Sequence, residues 1–374
     1  MRDLLGPRPR LQLAILLVAL GLVWLVSSTI LANMARLGLT PGFGFLGRPA
    51  NFEIGESPVA FRAGAPYARA LLAGLVNTVL VSALACLLAT VLGALIGLAR
   101  MSRNLLLSRL AQTFIEFARN TPLLLQLFFW TATAHALPAA RQALQPVSGV
   151  YLSNRGVYLP WVSFDHAGGA VFALAVLAAI VLALAALFKP SRRRRLLVLA
   201  GAATAVAAGL SWLVGSGVSF DLPTLRGFNF TGGFGVSPEF AALVVGLTVH
   251  GSAQVAEIVR AGVQSVPAGQ WEAAEALGMS RAKALRLVVA PQALRVIVPL
   301  MTSTYLDITK NSSLAVAIGF TDFVSVANTT ANQSGHAVEA LALMIAAYLA
   351  LSLSVSVVMN RYDAMLERRG FARP

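Results

Sequence analysis

The sequence predicts an all-α polytopic membrane protein with about eight transmembrane helices, and three observations carry that expectation. Of its 374 residues, 57% are hydrophobic and only 12% charged, so most of the surface must meet something other than water. Several apolar stretches reach the roughly 20 residues that a helix needs to cross hydrocarbon. The basic residues gather in short connections between those stretches rather than along one polar face.

Taken in order, the clearest stretches are 11–34, 71–98, 168–188, 196–214, 240–260 and 337–359. Two more, 122–137 and 291–320, are interrupted by prolines and ionisable residues. The chain divides into an N-terminal anchor with an extracytoplasmic segment over 1–70, a transmembrane domain over 71–362 and a tail over 363–374. The first apolar run is too long for a signal peptide and lacks a small-residue cleavage site, so it is expected to stay as an anchor. After it, 38–66 is rich in Gly and Pro, and Phe43, Phe45, Phe52 and Phe61 lie either at the membrane surface or in an irregular connector. An insertion over 138–238 holds two Ala/Leu/Val-rich spans hinged on the KPSRRRR turn, with polar outside loops at 139–166 and 215–237. Spans so poor in polar residues suit a lipid-facing scaffold.

With a cytoplasmic amino terminus, the inside connections hold 19 of the 29 Lys and Arg. That asymmetry predicts that both termini are cytoplasmic and accounts for the net charge of +14 without nucleic acid. The single cysteine, Cys86, excludes an intrachain disulfide and argues against a metal cluster. No GxxxxGK[ST] phosphate loop is present, so any nucleotide hydrolysis is expected on another subunit.

The connection after the sixth span reads VQSVPAGQWEAAEALGMSRAKALRLVVAPQALRVIVP. Pro267 suits a first helical turn, and Glu272 and Glu275 lie in the short helix it opens, near the positive end of the dipole. Gly278 permits the left-handed conformation that stops that helix. Ser280 can cap a second short helix whose basic residues stand off from Leu285, Val288 and Val289, and Pro291 is expected to mark the return to the membrane. Such a knob either docks into a partner's groove or lies on the membrane surface as a plain hairpin.

The spacing Glu272-Ala273-Ala274, three residues, Gly278, nine residues, then Val288-Val289-Ala290-Pro291 resembles the EAA loop of ABC-importer permeases, EAA-x3-G-x9-I-x-L-P. Val288 and Ala290 depart from the pattern but remain apolar. The flanks AEIVRAGVQSVPAGQWEAAEALGMS and PQALRVIVPLMTSTYLDITKNSSLA, with ARNTPLLLQLFFW earlier, are similar to the polar amino-acid branch of that family. The long insertion and eight spans resemble its general L-amino-acid variety. The resemblance implies a type I core of five helices, joined here by an N-terminal helix and a two-helix insertion. It also implies an ATPase-coupling role for Glu272, Ala273, Ala274, Gly278 and Pro291. The partners it implies are a second permease subunit of paralogous sequence, two ATP-binding-cassette ATPases that carry the ATP-Mg, a periplasmic amino-acid-binding protein, and membrane lipid. No cofactor is expected on this chain.

Ionisable residues inside spans are the remaining candidates, since each costs about 2.5–3.5 kcal/mol at the bilayer centre. His250, Gln254 and Glu257 form one stripe at i, i+4 and i+7, which either lines a hydrophilic route or is satisfied internally, with Glu257 pairing to Arg260. Ser303, Asp307, Lys310 and Asn311 repeat the geometry, and Asp307 with Lys310 can neutralise each other or meet the charged ends of cargo. Arg119 is expected to snorkel to the inner interface, with Asn120 or Thr121 capping the helix that Pro122 opens. Asn77 and Thr78 are expected to make helix-to-helix hydrogen bonds. The alternative reading is an ion-coupled secondary transporter using Asp307, Lys310 and Glu257, although no inverted repeat is evident. No nucleophile and base set points to catalysis.

Overall fold

The computed structural model describes residues 9–36, 42–164, 198–206 apart from 200 and 203, and 218–368. Helices dominate: α1 Pro9–Arg36, α2 Tyr67–Arg100, α3 Leu105–Asn120, α4 Leu123–His135, α5 Pro238–Gln264, α6 Ala268–Ala276, α7 over 281–311, α8 Phe323–Ser334 and α9 Ala337–Arg368. Among the described residues, four helices are long and apolar enough to cross a membrane, those spanning Tyr67–Arg100, Pro238–Gln264, Arg281–Ile318 and Ala337–Met365. The expected spans over 168–188 and 196–214, and the last residues of the tail, lie wholly or largely outside the described residues.

α5 is the hub. It packs against α2, α3, α4 and α7, and about 61% of its apolar window is buried by the chain itself. Its closest neighbour is α2, which presents Ala85, Ala89, Gly93 and Gly97 at intervals of four, hence on one face. A Cβ at Gly93 would stand 2.5 Å from Val255 Cβ and 2.6 Å from the Ser252 carbonyl. One at Gly97 would stand 2.8 Å from the Ala256 carbonyl. Lipid tails are as apolar as leucine, so helices in hydrocarbon associate through such close backbone approach rather than through the hydrophobic effect.

Two helical runs are broken rather than straight. Between α3 and α4, Thr121 and Pro122 interrupt the helix, because Pro122 supplies no amide hydrogen and pushes Thr121 into extended backbone. The expected cap by Asn120 or Thr121 does not form. The Thr121 hydroxyl donates back to the Phe117 carbonyl, and the Gln126 amide covers the Ala118 and Thr121 carbonyls at 2.8 and 3.0 Å. The second break follows α7, where a 3-10 segment Ser312–Ile318 and Gly319 at φ 80° lead into α8. Asp322 caps α8 through the Ser325 amide at 2.8 Å, and Thr78 accepts from the Phe323 amide at 3.0 Å. Thr78 thus meets the expected helix-to-helix bond, whereas Asn77 donates instead to the Thr321 and Glu56 carbonyls in segments outside the helices.

Three expectations need correction. The segment after α1 is not a loose connector: Phe45 is 1% exposed, stacked on His336 at 4.7 Å, and Phe52 and Phe61 pack with Tyr67 beside α2 and α9, leaving only Phe43 open. The fold is mostly helical, as expected, but the polar loops of the insertion hold strands that the all-α expectation did not include. These antiparallel strands are Leu144–Val147, Val150–Ser153, Gly156–Leu159, Trp161–Phe164, Val218–Asp221, Thr224–Arg226, Asn229–Thr231 and Phe234–Val236, numbered β1 to β8. One sheet has the order β1-β2-β3-β8, with β4-β5 and β6-β7 as two-stranded ribbons. Tyr151 and Tyr158 stack on Phe230 across these ribbons, and burial pushes the Tyr158 phenol up against the opposing effect of its bond to Asn229. Lastly, the second short helix, expected over 281–290, does not end before Pro291. Arg281–Ala284, a π turn Leu285–Val289 and Ala290–Asn311 form one continuous helix, because the wider turn, with the Ala290 amide reaching the Leu285 carbonyl, makes room for the proline ring.

Replacing Gly93 with Leu is expected to wedge α2 from α5 at a cost of about 1–3 kcal/mol or more, with little relief available from backbone on the far side. The yield of monodisperse protein in mild detergent and its melting temperature should both fall, whereas Leu95→Ala on the exposed face should leave both unchanged.

Candidate coupling loop and polar helix faces

The loop between α5 and α7 begins where Ser265 ends α5 and Pro267 stands just ahead of α6, one residue before the helical turn expected for it. α6 ends in a left-handed corner. Gly278 has φ 71°, its amide donates to the Glu275 carbonyl at 2.9 Å, and the Met279 amide reaches the Ala274 carbonyl at 3.1 Å. That paired bonding is a Schellman cap, which satisfies the last carbonyls of α6 and turns the chain towards α7. No atom lies within 4 Å of a Cβ at Gly278, so the conformation and not crowding requires glycine there.

α6 has a backed face and an open one. Ala274 is 3% exposed and Trp271 packs with Val263, Val266, Val289 and Ala293 at the roots of α5 and α7. The Arg281 guanidinium lies 5.8 Å from the Trp271 ring centre, and Gln292 donates to Gln270 at 3.2 Å. Glu272, Ala273, Glu275, Ala276 and Leu277 are exposed, Leu277 by 76%. The two alanines of the motif therefore do different things: Ala274 lets α6 sit close to its own chain, and Ala273 keeps the outward face low. Ser280 occupies the cap position of α7 without a side-chain cap bond, and Pro291 lies half-buried within α7.

Behind the loop, the stripe on α5 divides. Glu257 binds Arg260 at 2.9 Å and also pairs with Arg100 at the end of α2, in the internally satisfied arrangement. His250 lies 3.1 Å from the Gln254 amide nitrogen and 3.4 Å from that of Gln126 on α4, forming a half-buried polar cluster inside the bundle. Asp307 lies within electrostatic reach of His250.

On α7, the expected neutralisation of Asp307 by Lys310 does not occur. Among the described residues neither makes an ion pair, and Ser303, Asp307 and Lys310 all stand exposed on one face, with Asn311 half-buried at the helix end. Three-residue spacing brings the side chains to the same side of a helix but does not fix their rotamers towards each other.

The sequence reading passed over Asp322 and the α2 small-residue stripe. Asp322 is 1% exposed and receives the Tyr348 hydroxyl at 3.4 Å as well as capping α8. Its signal in the sequence was the Gly-Phe-Thr-Asp stretch ahead of a helix; that of the stripe was the repeat of Ala or Gly every four residues from Ala85 to Gly97.

Broken helical runs around one buried hub, with a capped knob at their basic end, are the frame of an importer's spanning subunit. The family model of the binding-protein-dependent transport system inner membrane component matches residues 89–369, and the chain belongs to that family. It is a multi-pass inner-membrane permease subunit of an ABC importer. It is 45% identical over 372 residues to the putative amino-acid ABC transporter permease protein YhdX of Escherichia coli K12, covering 96% of this chain and 94% of that one. To the general L-amino acid transport system permease protein AapQ of Rhizobium johnstonii it is 42% identical over 363 residues, covering 95% and 91%. A crystal structure of an amino acid ABC transporter with histidines is similar at a TM-score of 0.48 and 23% identity, covering 80% of this chain and 94% of that one.

Replacing Glu257 with Ala should lower stability by about 1–2 kcal/mol, less than for a fully buried pair because the three side chains keep 18–30% of their exposure. A thermal melt in detergent reads this directly, and Glu257→Asp should recover part of the loss.

Proposed function

We propose that this permease carries polar or general L-amino acids and is driven by a separate ATP-binding-cassette ATPase, coupled through the loop 265–291 by contact with the open face of α6. The observation that carries this reading is the two-faced α6: one side, with Ala274 buried, packs through Trp271 on the roots of two spanning helices, and the other presents Glu272, Ala273 and Leu277 outward. A push on the open face then moves α5 and α7 as a unit. ATP-Mg is held by the ATPase pair, and this chain needs no cofactor of its own. The names of the two relatives, an amino-acid and a general L-amino acid permease, support the cargo class. The family's dependence on binding proteins supports a periplasmic amino-acid-binding protein as the supplier.

The basic ends of α2, α5 and α9 face the cytoplasm in this reading, with the β module outside and both termini inside, as the bias in Lys and Arg favours. Ser303, Asp307 and Lys310 on an otherwise apolar span cannot face lipid without a penalty of about 2.5–3.5 kcal/mol per charge, which supports a second, paralogous permease and a hydrophilic route along that face of α7. His250 and Gln254 border the route from α5.

Gly278→Val should reduce uptake of radiolabelled amino acids about tenfold or more, because a β-branched side chain strains the left-handed corner by about 1–2 kcal/mol and displaces the knob. Insertion into the membrane should be unaffected, and wild-type uptake would refute the coupling role. Uptake should also be abolished by vanadate; vanadate-resistant uptake that follows an ion gradient would favour the secondary-transport reading instead. In a Cys86→Ser background, Ser303→Cys should cross-link the two permeases, and its failure to do so while a lipid-facing Leu87→Cys succeeds would place the interface elsewhere.

A further inference from the structure

At the basic end of the bundle, α2, α5, α7 and α9 line a half-open cavity of about 660 Å³. Its walls are almost entirely apolar, with Leu98, Val259, Ile297, Met301, Val358 and Met359 among them, and Arg286 stands on its rim. At the deep end, Thr90 and Tyr305 share a hydrogen bond of 2.7 Å, and Thr90 also binds the Cys86 carbonyl. At that end the polar side-chain atoms are thus spent on each other, which leaves the Tyr362 hydroxyl and Arg286 as the remaining polar side chains on the lining.

These features limit what can occupy the space. A zwitterionic solute would lose its hydration and find no partner for one of its two charges. Water does not fill an apolar cavity of this kind stably, since it needs two to four polar contacts. The volume lies within the range of about 300–1,000 Å³ typical of ligand sites. Nor is this the hydrophilic route: at about 100° per residue, the wall residues Leu294, Ile297 and Met301 lie roughly half a turn of α7 away from Ser303 and Asp307. The cavity is thus on the side of the helix turned away from the charged face.

We propose that this cavity holds an acyl chain of an anionic phospholipid, whose headgroup phosphate is met by Arg286. Arg286 is exposed, and among the described residues no carboxylate lies within ion-pair distance of it. It sits in the π turn where α7 leaves the coupling loop, so the lipid would brace the root of the lever against α9. A chain leaving bulk lipid for an apolar crevice gains little from burial alone, so the selectivity must come from the headgroup. The assignment rests on the orientation proposed above, which puts this end in the anionic leaflet.

The test uses the assembled transporter in phosphatidylcholine vesicles doped with phosphatidylglycerol or phosphatidylcholine, each carrying a photoactivatable acyl chain, with labelled peptides mapped by mass spectrometry. Peptides from α7 and α9 that line the cavity should be labelled by the phosphatidylglycerol probe about fivefold more than by the other, the discrimination expected of one basic residue at an anionic surface. Arg286→Gln should abolish the preference and Arg286→Lys should keep it. Ala94→Phe, which fills the cavity, should remove the labelling. Equal labelling by the two probes, a preference that survives Arg286→Gln, or labelling unaffected by Ala94→Phe would each overturn the proposal. Because labelling is read without transport, a failure here is distinguishable from a failure of the coupling role.

Discussion

The approach of α2 to α5 is the contact on which the rest of the architecture depends. Inside hydrocarbon there is no solvent-driven pressure to hold two apolar helices together, so they must touch along their backbones, and Ala85, Ala89, Gly93 and Gly97 let them do so against Ser252, Val255 and Ala256. With α5 fixed in the middle, α4 reaches it through Leu127 at Gly246, and α7 through Ile308 at Gly251 and Ile297 at Gly262. Small residues thus recur on each side of the hub where a neighbour comes close, and the polar cluster of His250, Gln254 and Gln126 is held between them.

The same hub gives the loop its mechanical meaning. Val263 and Val266 continue α5 into the cluster that seats Trp271, and Val289 and Ala293 bring in the root of α7, so α6 packs against both helices through one side chain. At the other end, α7 gives way to the 3-10 segment and to α8, where Asp322, Thr78 and Asn77 pin a break in the helical run. If the proposed coupling holds, a displacement at the basic face would reach α8 through a seat packed at one end and a helix break secured by hydrogen bonds at the other.

How much of this the sequence disclosed varied with the physics of each element. Long apolar runs and Gly278 were legible, because length in hydrocarbon and a positive φ leave few alternatives. The division of labour between Ala273 and Ala274 was not, since a nine-residue helix takes its inward face from neighbours distant in sequence. Pro291 was misleading: a proline preceded by a π turn continues a helix that propensity would end. The strands of the insertion were hidden by their brevity, although VYLSNRGVYL carries β-branched and aromatic residues on either side of a turn. Phe45 and its neighbours read as membrane surface or irregular connector because the partners that bury them, Tyr67 at the start of α2 and His336 in the turn before α9, are distant in sequence.

The account turns on whether the open face of α6 meets a nucleotide-hydrolysing partner. The most direct measurement places a single cysteine at Leu277 in a Cys86→Ser background and asks what it cross-links to in native membranes. A permease–ATPase adduct whose yield changes between nucleotide-free and ATP-bound conditions is the predicted result. Adducts with lipid-soluble reagents alone, and none with an ATPase, would mean that α6 lies on the membrane surface and that the lever has no motor.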